Sequence, residues 1–217
     1  MKTQLLIIII AAVILLGVCN VQATTIAFYT DGVIQEGDEY VSVGVYNDAT
    51  VDMTGGIVTF QLTSYESSIV NISGGILEAI VCKDGSTLNL YGNMKAGGMS
   101  VSGSGTVNVF GGNVNSLKIG SANAANLYGG TISDYLKATS TVNIYGYGFE
   151  YDPLAGDYWG GQLTGFWLDD TPFSIDLYYS DTMGAPPIDT YSHVVLIPEP
   201  ATILLFAFGW LALRKRN

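Results

Sequence analysis

Positive charge is scarce in this sequence. Eight Lys and Arg stand against 19 Asp and Glu in 217 residues, a formal net charge of −11. Between residues 24 and 197 the only cations are Lys83, Lys95, Lys118 and Lys137, and every acid except Glu199 falls there. A body this acidic repels a phosphate backbone, which argues against nucleic acid as a partner. Cysteine is scarcer still. Cys19 precedes residues 24–197, so Cys82 stands alone in the body and no internal disulfide can form. It reads as a small buried residue, with a bridge between two chains as the alternative. The single histidine, His193, gives Ser/His/Asp catalysis no centre. No Cys/His spacing suits a metal, so no metal site and no cofactor is expected. Gly, Ser, Thr, Asn and Tyr are abundant instead, a mixture that favours strands and turns over helices.

Apolar runs are confined to the two ends. Lys2 is followed by an almost unbroken apolar stretch from Leu5 to Val18, then by Val21-Gln22-Ala23. Charge, apolar core and small-residue exit, in that order, form a cleavable secretory signal over residues 1–23, with signal peptidase cutting after Ala23. A lipoprotein signal on Cys19 would want a small residue where Val18 stands. At the other end Pro198-Glu199-Pro200 precedes an apolar segment, 201–213, and the basic cluster Arg214-Lys215-Arg216. As a helix the segment would be roughly 20 Å long, short against a hydrocarbon core of about 30 Å, although flanking cations can snorkel. The cluster should stay cytoplasmic and leave the body outside.

This tail, residues 195–217, resembles the PEP-CTERM sorting signal of exported bacterial proteins. The resemblance rests on Pro198, Glu199 and Pro200, the short membrane segment, and Arg214, Lys215 and Arg216 at the extreme end, all in order. It implies handling by exosortase, a membrane protease-transpeptidase, with processing near the Pro-Glu-Pro motif. It also implies delivery to the envelope, cell surface or extracellular matrix after transient anchoring in the inner membrane. The segments Gly146-Tyr147-Gly148-Phe149, Gly165-Phe166-Trp167 and Thr190-Tyr191-Ser192-His193 look similar to the C-terminal region of other repetitive PEP-CTERM proteins.

Between the ends the chain repeats. Val51-Asp52-Met53-Thr54-Gly55-Gly56 aligns with segments beginning at Val70, Leu88, Val107, Ala125 and Val142, at steps of 17 to 19 residues. A short fixed period of strand-type residues marks a solenoid. In the unit from Thr106 to Ala124, Thr106 to Phe110 alternates as a strand and Gly111-Gly112 turns the chain. Val114 then opens a second strand, and Leu117-Lys118-Ile119 makes a third. The expected fold is all-β: a single-stranded parallel β-helix of about six coils over residues 49–145. Residues 24–48 form an N-terminal β cap and residues 146–194 a C-terminal one, with strands near Leu163–Leu168, Phe173–Tyr179 and Ser192–Ile197. Coils this small are stable only when stacked.

Alternation assigns the faces of the first strand. Val51/Met53, Val70/Ile72, Leu88/Leu90, Val107/Val109, Ala125/Leu127 and Val142/Ile144 point inward. Outward lie a Thr column broken by Ile69 and Ala124, and an Asn column of Asp52, Asn71, Asn89, Asn108, Asn126 and Asn143. Beside them runs a column that becomes aromatic at Tyr91, Phe110, Tyr128 and Tyr145. The interrupted Thr column is a poor match to the flat array that ice binding would want.

Three functions follow from this pattern. A stiff acidic rod displayed on or released from the envelope needs no special residues. A carbohydrate- or exopolysaccharide-binding surface would use Tyr91, Phe110, Tyr128 and Tyr145 for stacking, with Asn89, Asn108, Asn126 and Asn143 hydrogen-bonding. A polysaccharide lyase or hydrolase would need paired carboxylates, for which Glu150/Asp152 and Asp169/Asp170 are the candidates. Adjacent acids are more often solvated surface, so the chain is not expected to be an enzyme.

Overall fold

The computed structural model describes residues 24–120, 124–183 and 186–198. The strands are β1 (Thr24–Phe28), β2 (Gly32–Ile34), β3 (Glu39–Val45), β4 (Thr50–Met53), β5 (Ile57–Ser64) and β6 (Ile69–Ile72). They continue as β7 (Ile76–Cys82), β8 (Thr87–Leu90), β9 (Lys95–Val101), β10 (Thr106–Val109), β11 (Asn113–Ile119) and β12 (Ala124–Leu127). The last are β13 (Thr131–Ala138), β14 (Val142–Asp152), β15 (Trp159–Phe166), β16 (Pro172–Ser180), β17 (Ile188–Asp189) and β18 (Val194–Pro198). One 3-10 turn, Tyr191–His193, precedes β18. Among the described residues no helix is long and apolar enough to cross a membrane. The expected signal peptide, the helix 201–213 and the basic cluster lie outside the described residues.

Two parallel sheets face each other across the core in about six turns. The short strands β2, β4, β6, β8, β10, β12, β14 and β18 pair in succession. The longer strands β1, β3, β5, β7, β9, β11 and β13 do the same, and β16 joins them at Leu136 and Leu177. The repeat sets the register, so that Asn71, Asn89, Asn108 and Asn126 stand in line on β6, β8, β10 and β12. The apolar pairs assigned inward are all buried, from Val51 and Met53 to Val142 and Ile144. Facing them from the longer strands are Leu62, Leu77, Ile80, Met99, Leu117, Ile119 and Leu136, also buried.

Each coil has two strands, where the sequence suggests three. Val114 and Leu117 are both buried although three residues apart, which breaks the two-residue alternation. One strand whose alternation breaks once accommodates them, as in β9, where the buried Ala96 and Met99 keep register with them; β13 adds one residue more, between Ile132 and Tyr135. The same irregularity recurs between Val58 and Leu62 and between Tyr40 and Ser42.

The corners are built from small residues. At the Gly-Gly corners the second glycine takes positive φ, +80° at Gly56 and +96° at Gly75. The first is required for a different reason. A Cβ at Gly74 would lie 2.3 Å from the Thr54 carbonyl oxygen of the coil before, so only glycine lets successive corners stack. The opposite corner turns inward on Ala49, Ser68, Ser86 and Gly105, where Ser68 and Ser86 are fully buried. Ser86 Oγ lies 2.9 Å from Ser64 Oγ and donates to the Lys83 carbonyl at 2.6 Å, so the buried hydroxyls are satisfied. Cys82 is free and wholly buried beside them, its Sγ 3.2 Å from Ser86 Oγ. Cys82 is thus the small buried residue that the sequence leads one to expect, and it leaves the folded chain no exposed thiol there for a bridge to another copy.

Residues 24–48 share the register of the coils that follow, with β1 on β3 and β2 on β4. The opposite end is closed differently. β14 leaves the short-strand sheet and pairs antiparallel with β15, which pairs antiparallel with β16. This meander lays Leu163, Trp167, Phe173 and Ile175 over the end of the core, and Trp167 Nε1 donates to the Gly130 carbonyl at 3.1 Å.

Candidate functional site

The outer face of the short-strand sheet carries the Asn and aromatic columns as continuous ladders. Asn71 Nδ2 donates to Asp52 Oδ1 at 2.8 Å, Asn89 to Asn71 at 2.8 Å and Asn108 to Asn89 at 2.9 Å. Asn126 donates to Asn108 at 2.8 Å and Asn143 to Asn126 at 2.9 Å. Every amide donates toward the N-terminal end, and Asp52, acceptor-only when ionised, receives the last bond. At the other end Asn143 is in register with Val195, whose side chain can neither donate nor accept.

The rings stack in the same manner. Tyr91 and Phe110 lie 5.1 Å apart at 6°, Phe110 and Tyr128 4.9 Å apart at 6°, and Tyr128 and Tyr145 4.2 Å apart at 19°. The rung spacing of about 4.8 Å is near the contact distance of rings, so stacking follows from strand pairing. The consequence for binding is specific. Near-parallel rings cover one another's faces and present their edges to solvent, whereas stacking on a sugar needs a free face. Tyr91 remains 39% and Phe110 45% exposed. Burial raises the hydroxyl pKa of Tyr128, with a further push from Tyr145.

The sequence did not disclose two more aromatic groups, because the body of the repeat does not carry them. Tyr29, Tyr46 and Tyr65 stack at 5.1 and 4.8 Å beside the long-strand sheet, and the Tyr46 ring folds back over Gly44. Lys83 Nζ lies 5.4 Å from the centroid of Tyr65 and takes the next place in that column. Near the C-terminal end of the same face, Tyr135 meets Tyr158 at 4.7 Å and 49° and Tyr178 at 5.6 Å and 41°, a tilted rather than parallel group.

Three of the four candidate carboxylates are engaged with other partners. Glu150 and Asp152 are exposed on β14 opposite Thr164 and Gln162 of β15, and Asp152 Oδ1 accepts the Leu154 N–H at 2.9 Å. Asp169 Oδ1 accepts from the Thr171 amide at 3.1 Å and hydroxyl at 2.6 Å, which lowers its pKa. Asp170 Oδ1 accepts from the Tyr147 hydroxyl at 2.6 Å. His193 sits in the 3-10 turn, its N–H bonded to the Thr190 carbonyl at 3.0 Å. A groove of about 420 Å³ over the Gly-Gly corners is bordered by Glu36, Asp38 and Glu39. Among the described residues no three His, Cys, Asp or Glu side chains are grouped so as to hold a metal ion.

Of the sorting residues, Pro198 closes β18, in register with Gly146. Ala23, Glu199, Pro200, Arg214, Lys215 and Arg216 lie outside the described residues. Comparison with known proteins finds no matching family model, no matching curated protein and no matching solved structure.

Proposed function

We propose that this chain is an exported structural protein of the cell envelope or extracellular matrix: a stiff acidic β-solenoid, sorted and processed by exosortase at its Pro-Glu-Pro tail. The observation that carries the structural half is the closed use of the short-strand face. Its amides hydrogen-bond one another rung by rung and its rings cover one another, so both columns stabilise the stack. The export half rests on the two ends of the sequence, with signal peptidase and exosortase as the processing partners. Expression of the full chain in a host with exosortase, followed by terminal sequencing, tests it. The expected product begins at Thr24 and ends near residues 198–200. A chain retaining Arg214 to Arg216, or one whose processing is indifferent to Glu199→Ala, would remove the sorting reading.

A second reading keeps the carbohydrate surface, favoured by the exposure of Tyr91 and Phe110 beside the Asn strip. Stacking would then use the free faces at the ends of the ring ladder, and ring edges between. Polysaccharide pull-down with Tyr128→Ala and Tyr145→Ala tests it: retention should fall in both variants, and equal retention would leave the structural reading alone. Hydrolysis or lyase chemistry at Glu150/Asp152 or Asp169/Asp170 is the remote alternative.

A further inference from the structure

The long-strand sheet gathers the scarce cations. Lys118 on β11 is the direct register partner of Lys137 on β13. Both point outward, since the residues flanking each of them, Leu117, Ile119, Leu136 and Ala138, are buried. Like charges on adjacent rungs, about 4.8 Å apart, repel. The arrangement is therefore unfavourable on its own, and it consumes two of the four lysines between residues 24 and 197.

These two lysines line an open pocket of about 300 Å³ with Ser100, Ser102, Tyr135 and Tyr178. No carboxylate is among its lining residues. Ser100 is the register partner of Lys118 on the preceding rung and places a hydroxyl in the same column. Lys137 Nζ lies 4.6 Å from the Tyr178 centroid and Lys118 Nζ 5.8 Å from that of Tyr135. Ring quadrupoles position the ammonium groups without neutralising them. The nearby acid, Asp134, accepts from the Tyr158 hydroxyl. The tilts of 49° and 41° between Tyr135 and its neighbours keep the rings from lying flat on one another, unlike those of the parallel ladders.

We propose that Lys118, Lys137, Ser100, Tyr135 and Tyr178 form a subsite for an acidic sugar unit of an anionic polysaccharide. The paired ammonium groups take its carboxylate or sulfate, and the tyrosines take its ring. The occupant is argued from the pocket's chemistry: two adjacent cations demand an anion, the hydroxyls and tilted rings suit a sugar, and an open trough along a sheet face admits a chain. The site is independent of the Asn and aromatic strip on the other sheet.

The test is retention of the full chain, purified in detergent, on immobilised polygalacturonate, dextran sulfate and unmodified dextran at low salt. Retention is expected on at least one anionic polymer and not on dextran, and should weaken as salt is added. Lys118→Gln, Lys137→Gln and Ser100→Glu should each reduce it at least tenfold. Lys95→Gln, the same charge change outside the pocket, should leave it unchanged. Preference between the two anionic resins identifies the acidic group. Absence of retention on both, equal retention on dextran, or equal losses in Lys118→Gln and Lys95→Gln would each overturn the proposal.

Discussion

Tyr158 and Asp134 carry the largest resolved protonation effect among the described residues. The hydrogen bond to Asp134 is the main cause, and it pushes the Tyr158 hydroxyl up to about 12 from its ordinary 10. The neutral phenol is the form that the fold holds. Its contribution to stability is therefore complete below pH 10 and is lost as pH rises from 10 to about 12. Thermal melts of the wild type and Tyr158→Phe should differ at pH 9 and converge by pH 12, and a gap that stays constant would detach the effect from this pair. The corners hold a constraint that the local sequence does not carry. Each Gly-Gly pair announces a turn, but nothing in the pair says that Gly74 is fixed by the Thr54 carbonyl one coil away. That constraint exists only once coils are stacked.

At the scale of the element, the short strand was legible and the long one was not. Residues 106–109 alternate without interruption, and the recurrence of the pattern gave both faces and the Asn column. The stretch from Asn113 to Ile119 changes phase once, and a phase change reads equally well as a corner between two strands or as a bulge within one. The C-terminal meander was legible only as separate strands. Its antiparallel pairing is set by a chain reversal that no repeat records. The Asn ladder makes a graded prediction. Asn108 takes part in two amide bonds, and Asn143, whose neighbour on the far side is Val195, in one. At about 1 kcal/mol for each net hydrogen bond, Asn108→Ala should cost about twice what Asn143→Ala costs. Chemical denaturation of the two variants checks this, and equal losses would mean that the ladder contributes little beyond the backbone pairing.

For the whole molecule, stability depends on how each end of the stack is finished. Leu196 on β18 is in register with Ile144 and partly buried against the core, whereas Val195 is 45% exposed. Leu196→Asp should therefore destabilise by about 1–3 kcal/mol, the cost of placing an unpaired polar group there. It should also open residues 186–198 to limited proteolysis, while Val195→Asp leaves the cleavage pattern unchanged. Cleavage patterns that do not differ would mean that β18 adds little to the last coil.

The terminal rung has one more property. Among the described residues β18 is bonded on one side only, to β14, and it closes on Pro198, which has no N–H to offer a further strand. At the opposite end, the sides of β1 and β2 that no described strand pairs with hold no proline, and Val33 is 57% exposed. Among the described residues, then, the rod is polar in the sense that a filament is polar. One terminus of its short-strand sheet is blunted against templating another chain, and the other is a receptive edge.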